Sequence, residues 1–235
     1  MPQPIEILYE DDECLVINKP AGLAVQGGAG VSISLDSLLA RTYSPRPLLI
    51  HRLDRDTSGV ILVAKNKTAA ARYSRLIGEG AASKQYLAVC AGTPEPGAGV
   101  IRMDIEVRGK SKSAETRYTA LYTARFPESR FGIFSVLELE LASGRMHQIR
   151  RHMALAGTPI LGDDKYGDFS LNKALAKTMK LKRLLLHAFR LRIPPGCGVP
   201  PLDVYAPLPA HFTAFFEHTG CGAGQQHFFQ IPSVC

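Results

Sequence analysis

The 235-residue chain lacks the features that mark secreted and membrane-spanning proteins. Its five cysteines form no CxxC pair, and an odd count without a disulfide framework indicates reduced thiols in a cytosolic protein. No apolar run approaches the ~20 residues that a transmembrane helix needs. The N-terminal stretch "MPQPIEILYEDDECLVINK" lacks a basic start followed by an apolar segment, so no signal peptide is predicted.

Internal repeats and long low-complexity linkers are also missing, and the length of 235 residues favours one domain, with room for two lobes and enough residues for a core. The glycine-rich stretch "GGAG" has neither the GxGxxG spacing nor the strand-to-helix context of a dinucleotide-binding loop. The sequence therefore disfavours a Rossmann domain.

Positive charge is in excess: 28 Lys and Arg residues against 21 Asp and Glu give a formal net charge of +7. Such an excess is typical of proteins that bind polyanions, because lysines and arginines that neutralise phosphates release counterions. Many basic cytosolic proteins bind no nucleic acid, so charge alone leaves both interpretations open.

The pattern of apolar residues predicts more strands than helices. Leu137 and Leu139 alternate with Glu138 and Glu140, as in a half-buried strand. Further predicted strands are "IEILYED", "CLVINK", "GVILVAK", "KQYLAVCAG", "GVIRMDIEV", "ETRYTALYTAR", "RLLLHAFRLRI" and "PPLDVYAP"; predicted helices are "SLDSLLART", "KTAAARYSRLIGEG", "MHQIRRHMALAG" and "PAHFTAFFEH". We expect an α+β fold, with a mixed, largely antiparallel sheet and helices packed on it.

The stretch "HRLDRDTSG", which begins at His51, crowds seven polar side chains in front of a predicted buried strand. Loops held by a rigid sheet often carry chemistry. Asp54 is flanked by Arg52 and Arg55, and neighbouring guanidinium groups favour an ionised carboxylate, which suits a nucleophile or base. An ordinary turn, in which Asp, Thr and Ser satisfy loop backbone groups, fits the same residues.

The stretch "LASGRMHQIRRH" forms a second polar cluster, in which a Ser-Gly turn separates a strand from a helix. Arg145 lies at the junction, where it could reach a carboxylate elsewhere in the sheet. His147, Arg150 and Arg151 share one helix face and are expected to present a basic, hydrogen-bonding surface. A merely solvated basic helix is the alternative.

Two other functions fit these clusters poorly. His147 and His152 are five residues apart, so they do not share a helix face as in the HExxH zinc motif, and the arginines between them would repel a dication. "HRLD" is similar to the catalytic loop of protein kinases, but the glycine loop and the DFG element are missing.

Taken together, five segments resemble the RluA-type family of RNA pseudouridine synthases. The match runs from about Cys14 to Phe216. The five matching segments are "VINKPAGLAV", "HRLDRDTSGVILVAK", "KQYLAV", "LASGRMHQIRRHMALAGTPILGDDKYG" and "LLLHAFRLRI". The second and fourth are long and specific. Ser143 departs from the threonine that the family often has before the glycine, but it makes the same turn.

The resemblance implies the pseudouridine synthase fold, with two lobes and a catalytic cleft. It implies a catalytic domain over residues 1–219, without an S4 RNA-binding domain, followed by a loosely ordered tail over residues 220–235. The family isomerises uridine to pseudouridine in RNA with no cofactor and no metal. The expected partner is a structured rRNA or tRNA stem-loop, and the expected state is a cytoplasmic monomer that binds no membrane.

The resemblance also implies roles for individual residues. Asp54 matches the catalytic aspartate, Arg145 the arginine that pairs with it, and Tyr86 the active-site tyrosine. Leu186 matches an apolar residue that packs against the target base, and Arg52 is expected to help displace the nucleotide from its stack. Whether Asp54 attacks the sugar, attacks the base or removes a sugar proton stays open.

RNA binding is expected to involve a wider set of polar residues. His147, Gln148, Arg150 and Arg151 are the expected substrate contacts on the helix. The run Lys177, Lys180, Lys182 and Arg183 offers further phosphate contacts, with a solvated surface as the alternative. A non-catalytic RNA-binding protein on the same fold remains the competing function, although such a protein has no need of Asp54, Tyr86 and Arg145.

Overall fold

The computed structural model describes residues 5–107 and 109–221. Its strands are β1 (Glu6–Glu10), β2 (Cys14–Lys19), β3 (Leu48–Leu49), β4 (Ser58–Ala64), β5 (Ser83–Ala91), β6 (Ala98–Arg102), β7 (Ile105–Val107), β8 (Lys110–Lys112), β9 (Glu115–Arg125), β10 (Ile133–Leu141), β11 (Leu186–Ile193) and β12 (Leu202–Tyr205). Its α-helices are α1 (Leu35–Thr42), α2 (Lys67–Gly78), α3 (Gln148–Leu155), α4 (Phe169–Thr178) and α5 (Ala210–Thr219). The predicted tail lies outside the described residues beyond Cys221.

The chain forms two compact units. The first comprises the described residues up to Lys84 together with Ala188–Pro207, and the second comprises Gln85–His187 and the described residues from Leu208 onward. None of the helices described in either unit is long and apolar enough to cross a membrane.

The first unit is built around β4, a strand whose seven residues are all buried. β4 is antiparallel to β2, with Val16 opposite Leu62, and β2 is antiparallel to β1. Burial on both faces explains why "SGVILVA" reads as a continuous apolar run rather than an alternating one. The predicted strands "CLVINK" and "GVILVAK" are therefore confirmed.

One face of these strands packs against α2. Alternate strand residues such as Val16 and Leu62 join Ala69, Tyr73 and Leu76 of the helix in one apolar cluster. The side chain of Asn66 caps α2 by accepting a hydrogen bond from the backbone N–H of Ala69. The helix predicted over "KTAAARYSRLIGEG" is confirmed, and it ends at Gly78.

The second unit contains β10 between β5 and β9, and both pairs are antiparallel. Leu137, Leu139 and Leu141 are buried, whereas Glu138 and Glu140 remain partly accessible, as their alternation predicts. Phe212 and Phe215 of α5 are also buried, and the Phe215 ring meets that of Phe134 at 5.2 Å. This aromatic core explains why the short "PAHFTAFFEH" segment forms a stable helix.

Two segments differ from the predictions. "GVIRMDIEV" was expected to form one strand, but it breaks after Arg102, since β6 pairs with β9 whereas β7 forms a hairpin with β8. The helix α4 was not predicted, although Asp168 provides a standard N-cap by accepting a hydrogen bond from the N–H of Leu171. The pairs β1–β2, β2–β4, β3–β4, β5–β10, β6–β9, β7–β8, β9–β10 and β11–β12 are antiparallel, and a bridge between Ala24 and Ser34 is parallel.

Candidate active site

The loop "HRLDRDT" leads directly into the first residue of β4, as the sequence predicts. Arg52 is exposed, Asp54 is half-buried, and Thr57 is buried. The N–H of Thr57 donates to the carbonyl oxygen of Asp54 at 3.2 Å, which tightens the turn. Polar side chains are therefore displayed by a loop whose far end is anchored in the core.

Lys19 holds this loop in place from the end of β2. The side chain is fully buried, and its Nζ donates to the carbonyl oxygens of Pro20 at 3.0 Å, Leu23 at 2.8 Å and Arg55 at 3.0 Å. The N–H of Gly22 donates to the same Arg55 carbonyl at 2.8 Å. The loop that follows β2 is thereby bound to the backbone one residue beyond the candidate catalytic aspartate.

The charge state of Lys19 is sensitive to this environment. Burial lowers the pKa of Lys19 to about 7, while the negative charges of Asp56 and Asp54 oppose that shift. The three carbonyl acceptors use all three N–H donors of the ammonium form. Sequence analysis did not identify Lys19, although a lysine placed just before a Pro-Gly loop was the available signal.

His51 opens the loop but serves as a backbone anchor. Its Nε2 accepts a hydrogen bond from the N–H of Leu62 at 2.9 Å, so this nitrogen is the unprotonated one. Burial lowers the pKa of His51 to about 3, with a smaller effect from the positive charge of Lys84. The neutral imidazole therefore fixes the loop to β4, and Nε2 is not available as a base.

Tyr86 lies in β5 of the second unit, opposite Leu139 of β10, and only 6% of it is exposed. Leu186, the first residue of β11, is buried to a similar degree, at 3% exposed. The predictions placed both side chains on strands, where the sheet fixes their directions.

The turn before α3 is organised by Gln148. Its Oε1 accepts hydrogen bonds from the hydroxyl of Ser143 at 2.9 Å and the N–H of Arg145 at 3.0 Å. Its Nε2 donates to the carbonyl oxygen of Glu115 at 2.8 Å and to the hydroxyl of Thr116 at 3.1 Å. Gln148 is predicted to contact RNA; in this structure the side chain is 2% exposed and its amide is engaged within the protein.

Arg145 itself is exposed at the junction between β10 and α3, as predicted. Its Nε donates to the carbonyl oxygen of Ser113 at 3.2 Å. The backbone N–H of Arg145 also donates to Gln148. These two contacts fix where the Arg145 guanidinium lies when no substrate is bound.

Arg150 does not contribute to an exposed basic surface, contrary to the prediction. Its Nε and Nη2 donate to the two carboxylate oxygens of Asp163 at 2.8 and 2.7 Å, and Nη2 also meets Asp164 at 3.1 Å. The two side chains of the main pair are 5% and 1% exposed. An arginine on a helix turns inward when a buried carboxylate meets it, because a desolvated charge needs a close partner. In this structure the Arg150 guanidinium is engaged by two carboxylates within the protein.

Asp163 is the centre of this buried network, and sequence analysis did not identify it. Burial alone would raise the pKa of Asp163, but hydrogen bonds from Arg150 and from the N–H groups of Tyr166 and Lys165 leave the pKa below its ordinary value. The adjacent acids in "GDDKYG", thirteen residues after Arg150, were the available signal.

His147 and Arg151 flank the buried residues of α3. His147 has a left-handed backbone, with a φ of 55°, and its Nδ1 lies 3.2 Å from the hydroxyl of Tyr166. Arg151 is half-buried, and its Nη1 donates to the carbonyl oxygen of Glu106 in β7 at 3.0 Å. The basic surface predicted for α3 is thus smaller than expected and centres on His147 and Arg151.

The sequence disfavours a metal site, because the spacing of His147 and His152 does not fit the HExxH motif. Across the part of the chain that the structure describes, no group of three or more His, Cys, Asp or Glu side chains is arranged to hold a metal ion.

Solved structures identify the class of fold. The human RNA pseudouridylate synthase domain containing 4 superposes with a TM-score of 0.74 at 25% identity, covering 92% of this chain and 93% of that one. The human RNA pseudouridylate synthase domain containing 1 has a TM-score of 0.73 at 25% identity, covering 98% and 96%. The architecture is the pseudouridine synthase fold.

Sequence relatives identify the family. The RNA pseudouridylate synthase model matches residues 13–155. The ribosomal large subunit pseudouridine synthase C of Rickettsia felis is 36% identical over 221 residues, covering 89% of this chain and 70% of the relative. The protein of the same name from Escherichia coli K12 is 38% identical over 208 residues, covering 82% and 63%. The chain thus spans about two thirds of the length of these relatives, and it belongs to the RNA pseudouridylate synthase family, a family of isomerases that act on RNA.

Proposed function

We propose that this chain converts uridine to pseudouridine in large-subunit ribosomal RNA. The reaction class follows from the family, and the substrate follows from the names of the curated relatives. The net charge of +7 suits a polyanionic substrate.

The reaction moves one bond and balances without a redox partner. The bond between uracil N1 and ribose C1′ breaks, the base turns, and C5 forms the new bond to C1′. C5 then loses its proton, and N1 gains one. Asp54 provides the ionised carboxylate beside the glycosidic bond, a requirement shared by attack on the sugar, attack on the base and removal of a sugar proton.

Four other side chains assist Asp54 in this proposal. Arg145 pairs with its carboxylate and sets its direction. The Tyr86 ring stacks on the uracil, and its hydroxyl takes part in proton transfer at C5. Leu186 packs against the base, and Arg52 fills the gap that the extruded nucleotide leaves in the stack.

The observation that carries the proposal is the anchoring of the Asp54 loop. Lys19 and Gly22 both donate to the carbonyl oxygen of Arg55, the residue that follows Asp54. A fully buried lysine and a backbone N–H that both donate to one carbonyl oxygen are more than an ordinary surface loop needs. A catalytic group gains from such positioning, because small displacements of a reacting atom slow the reaction strongly.

The decisive experiment compares Asp54→Asn with Asp56→Asn. Both aspartates lie in one loop, but the carboxylate of Asp56 pairs with the side chain of Arg55. Release of tritium from RNA that carries 5-tritiated uridine measures loss of the C5 proton. We expect Asp54→Asn to lose roughly 10³-fold in rate while RNA affinity persists, and Asp56→Asn to stay within about threefold of the wild type. Substantial turnover by Asp54→Asn would show that Asp54 is not the catalytic carboxylate. A wild type that binds RNA without turnover would favour the alternative of a non-catalytic RNA-binding protein.

Two further variants separate the assisting groups. Tyr86→Phe keeps the ring but removes the hydroxyl, so it should slow tritium release more than it weakens RNA binding. Arg145→Lys keeps the charge but loses the bidentate geometry, and it should lower kcat with little change in stability. Arg130→Lys, at an exposed arginine that lies over Phe131, is the matched control.

The substrate is tested by mapping pseudouridines with carbodiimide chemistry in a strain that lacks this protein. One site lost from large-subunit ribosomal RNA is the expected result. A site lost only from transfer RNA would overturn the substrate assignment while leaving the reaction intact. Binding as a monomer to an isolated stem-loop in the cytoplasm is part of the same proposal, and sedimentation of the protein with a stem-loop transcript tests the stoichiometry.

The absence of a metal requirement is also part of the proposal. Activity should persist in EDTA, because a carboxylate is sufficient for each of the three routes. Loss of activity that added Mg²⁺ or Zn²⁺ restores would contradict it.

A further inference from the structure

The excess positive charge of the chain is concentrated in one short segment. Residues 169–183 contain five cationic side chains and no Asp or Glu, whereas the whole chain has a formal net charge of +7. The five are Lys173, Lys177, Lys180, Lys182 and Arg183. Such a concentration creates a local positive potential that attracts polyanions.

The helix α4 arranges the first part of this segment as an exposed row. Phe169, Lys173 and Lys177 are four residues apart, so they share one helix face, while Leu175 is buried on the other side. Phe169 is 62% exposed. Successive members of the row rise by about 6 Å along the helix axis. An exposed aromatic ring thus continues directly into two lysines.

Ion pairing does not account for these lysines. Among the ion pairs found in residues 5–107 and 109–221, none includes Lys173, Lys177 or Lys182. Interaction with the helix dipole explains cations in the last turn, such as Lys177. It does not explain Lys173, which lies in the first half of α4, or Lys182, which lies beyond the helix.

The position of α4 is fixed by buried polar contacts within the same unit. Oδ1 of Asn172 accepts from the N–H of Gly162 at 2.8 Å, and its Nδ2 donates to the carbonyl oxygen of Asp163 at 2.9 Å. The carboxylate of Asp163 in turn holds Arg150 of α3. The row therefore stands on a helix that is tied to the rest of its unit before any ligand arrives, which lowers the entropy cost of binding.

We infer that this exposed surface of α4 and the residues after it bind the RNA substrate. The surface is defined by Phe169, Lys173, Lys177, Lys180, Lys182 and Arg183. Phe169 stacks on an unpaired base, and the lysines neutralise phosphates on the same strand, since RNA loops are recognised through stacked bases and backbone contacts. The inference rests on the proposed function only in taking RNA as the substrate.

A neutralised triple variant tests the electrostatic part. Lys173→Gln, Lys177→Gln and Lys182→Gln are combined, because glutamine retains helix propensity. The control combines Arg41→Gln, Lys67→Gln and Arg75→Gln, which remove the same charge from exposed positions on α1 and α2. Filter binding to unmodified large-subunit ribosomal RNA, and to transfer RNA as a second probe, is measured over a series of salt concentrations.

The α4 triple variant should bind RNA about tenfold or more weakly near 150 mM salt, and the slope of log K against log salt should fall by about 2 to 3. KM should rise while kcat at saturating RNA stays unchanged. The control triple should keep the wild-type slope to within about 1. Equal binding by the α4 triple and the wild type, or equal weakening by both triples, would overturn the inference.

The aromatic part is tested by Phe169→Ala. Its Kd should rise roughly tenfold without a change in the salt slope, and Phe169→Trp should restore binding, because stacking does not depend on counterions. Ile33→Ala, at another exposed apolar residue, should bind as the wild type does. Unchanged RNA binding by Phe169→Ala would show that Phe169 does not stack on a base of the RNA.

These results separate the inference from the proposed function. If the wild type releases no tritium, the proposed reaction is contradicted. The binding isotherms would still show whether the α4 surface binds RNA. Normal turnover and normal binding by the α4 triple variant contradict the inference alone.

Discussion

The Nζ atom of Lys19 lies 3.0 Å from the carbonyl oxygen of Arg55, the residue that follows Asp54. The same amine donates to the carbonyls of Pro20 and Leu23. A buried amine at the end of one strand thus fixes the loop that enters the neighbouring strand. Lys19 is a positioning residue for Asp54 and does not itself need to touch RNA.

Replacing Lys19 by methionine should lower stability and activity together. Methionine fills similar space but removes three hydrogen bonds from Nζ to the carbonyl oxygens of Pro20, Leu23 and Arg55, at a cost of about 1–3 kcal/mol. The displaced loop should reduce kcat by roughly a hundredfold. Urea denaturation and tritium release measure the two effects.

Lys65→Met is the matched control for Lys19→Met. Lys65 pairs with Glu10 at 2.6 Å near the surface, so its loss should cost less than about 1 kcal/mol. A Lys19→Met protein with wild-type kcat would show that the loop does not depend on this amine.

The half-buried histidine His51, whose Nε2 accepts from the N–H of Leu62, should make the protein less stable as the pH falls. The pKa of His51 is lowered to about 3 in the folded protein, against about 6.5 in an unfolded chain. Between these values the unfolded chain binds a proton that the folded protein does not, so acid favours unfolding. From pH 6.5 to pH 5 the loss should reach up to about 2 kcal/mol.

The comparison of wild type with His51→Asn in urea denaturation at pH 7.5, 6 and 5 isolates this effect. The stability advantage of the wild type over His51→Asn should shrink as the pH falls. His218→Asn, at an exposed histidine, should follow the wild-type pH dependence. Parallel pH curves for wild type and His51→Asn would contradict the neutral state of His51.

The buried pair of Arg150 and Asp163 should be essential to the fold of the second unit. Arg150→Met leaves the carboxylate of Asp163 desolvated without its main partner, which should cost about 3–5 kcal/mol. Arg46→Met removes a pair with Asp36 whose side chains are 52% and 31% exposed, and it should cost less than about 1 kcal/mol. Thermal and urea unfolding of both variants provide the measurement. Equal stabilities would show that Asp163 finds another partner.

Gly59 should tolerate no side chain. Its φ is +111°, and a Cβ atom would lie 2.1 Å from the carbonyl oxygen of Ala188. Gly59→Ala should therefore lose at least about 3 kcal/mol or fail to fold. Gly27→Ala, where a Cβ would meet nothing within 4 Å, should change stability by less than about 0.5 kcal/mol. A stable Gly59→Ala protein would mean that the two strands separate at little cost.

Much of the fold was predictable from patterns between residues close in sequence. The alternation of leucine and glutamate in β10 and the continuous apolar run of β4 both reflect how many faces of a strand are buried. The helix α4 escaped prediction, and its position depends on Asn172, whose amide bridges Gly162 and Asp163. Such contacts are not visible in a local pattern.

The sequence by itself determined that a polar loop with Asp54 precedes a buried strand, and that the motifs belong to one family of RNA isomerases. Whether each of two nearby arginines is exposed or buried could be read from the tertiary structure alone. Arg145, in the turn before α3, remains exposed, whereas Arg150 within α3 turns inward to Asp163. The physical reason is that the pattern of buried and exposed residues along a helix or strand depends on residues close in sequence. The partner of a buried charge depends on how segments distant in sequence pack together.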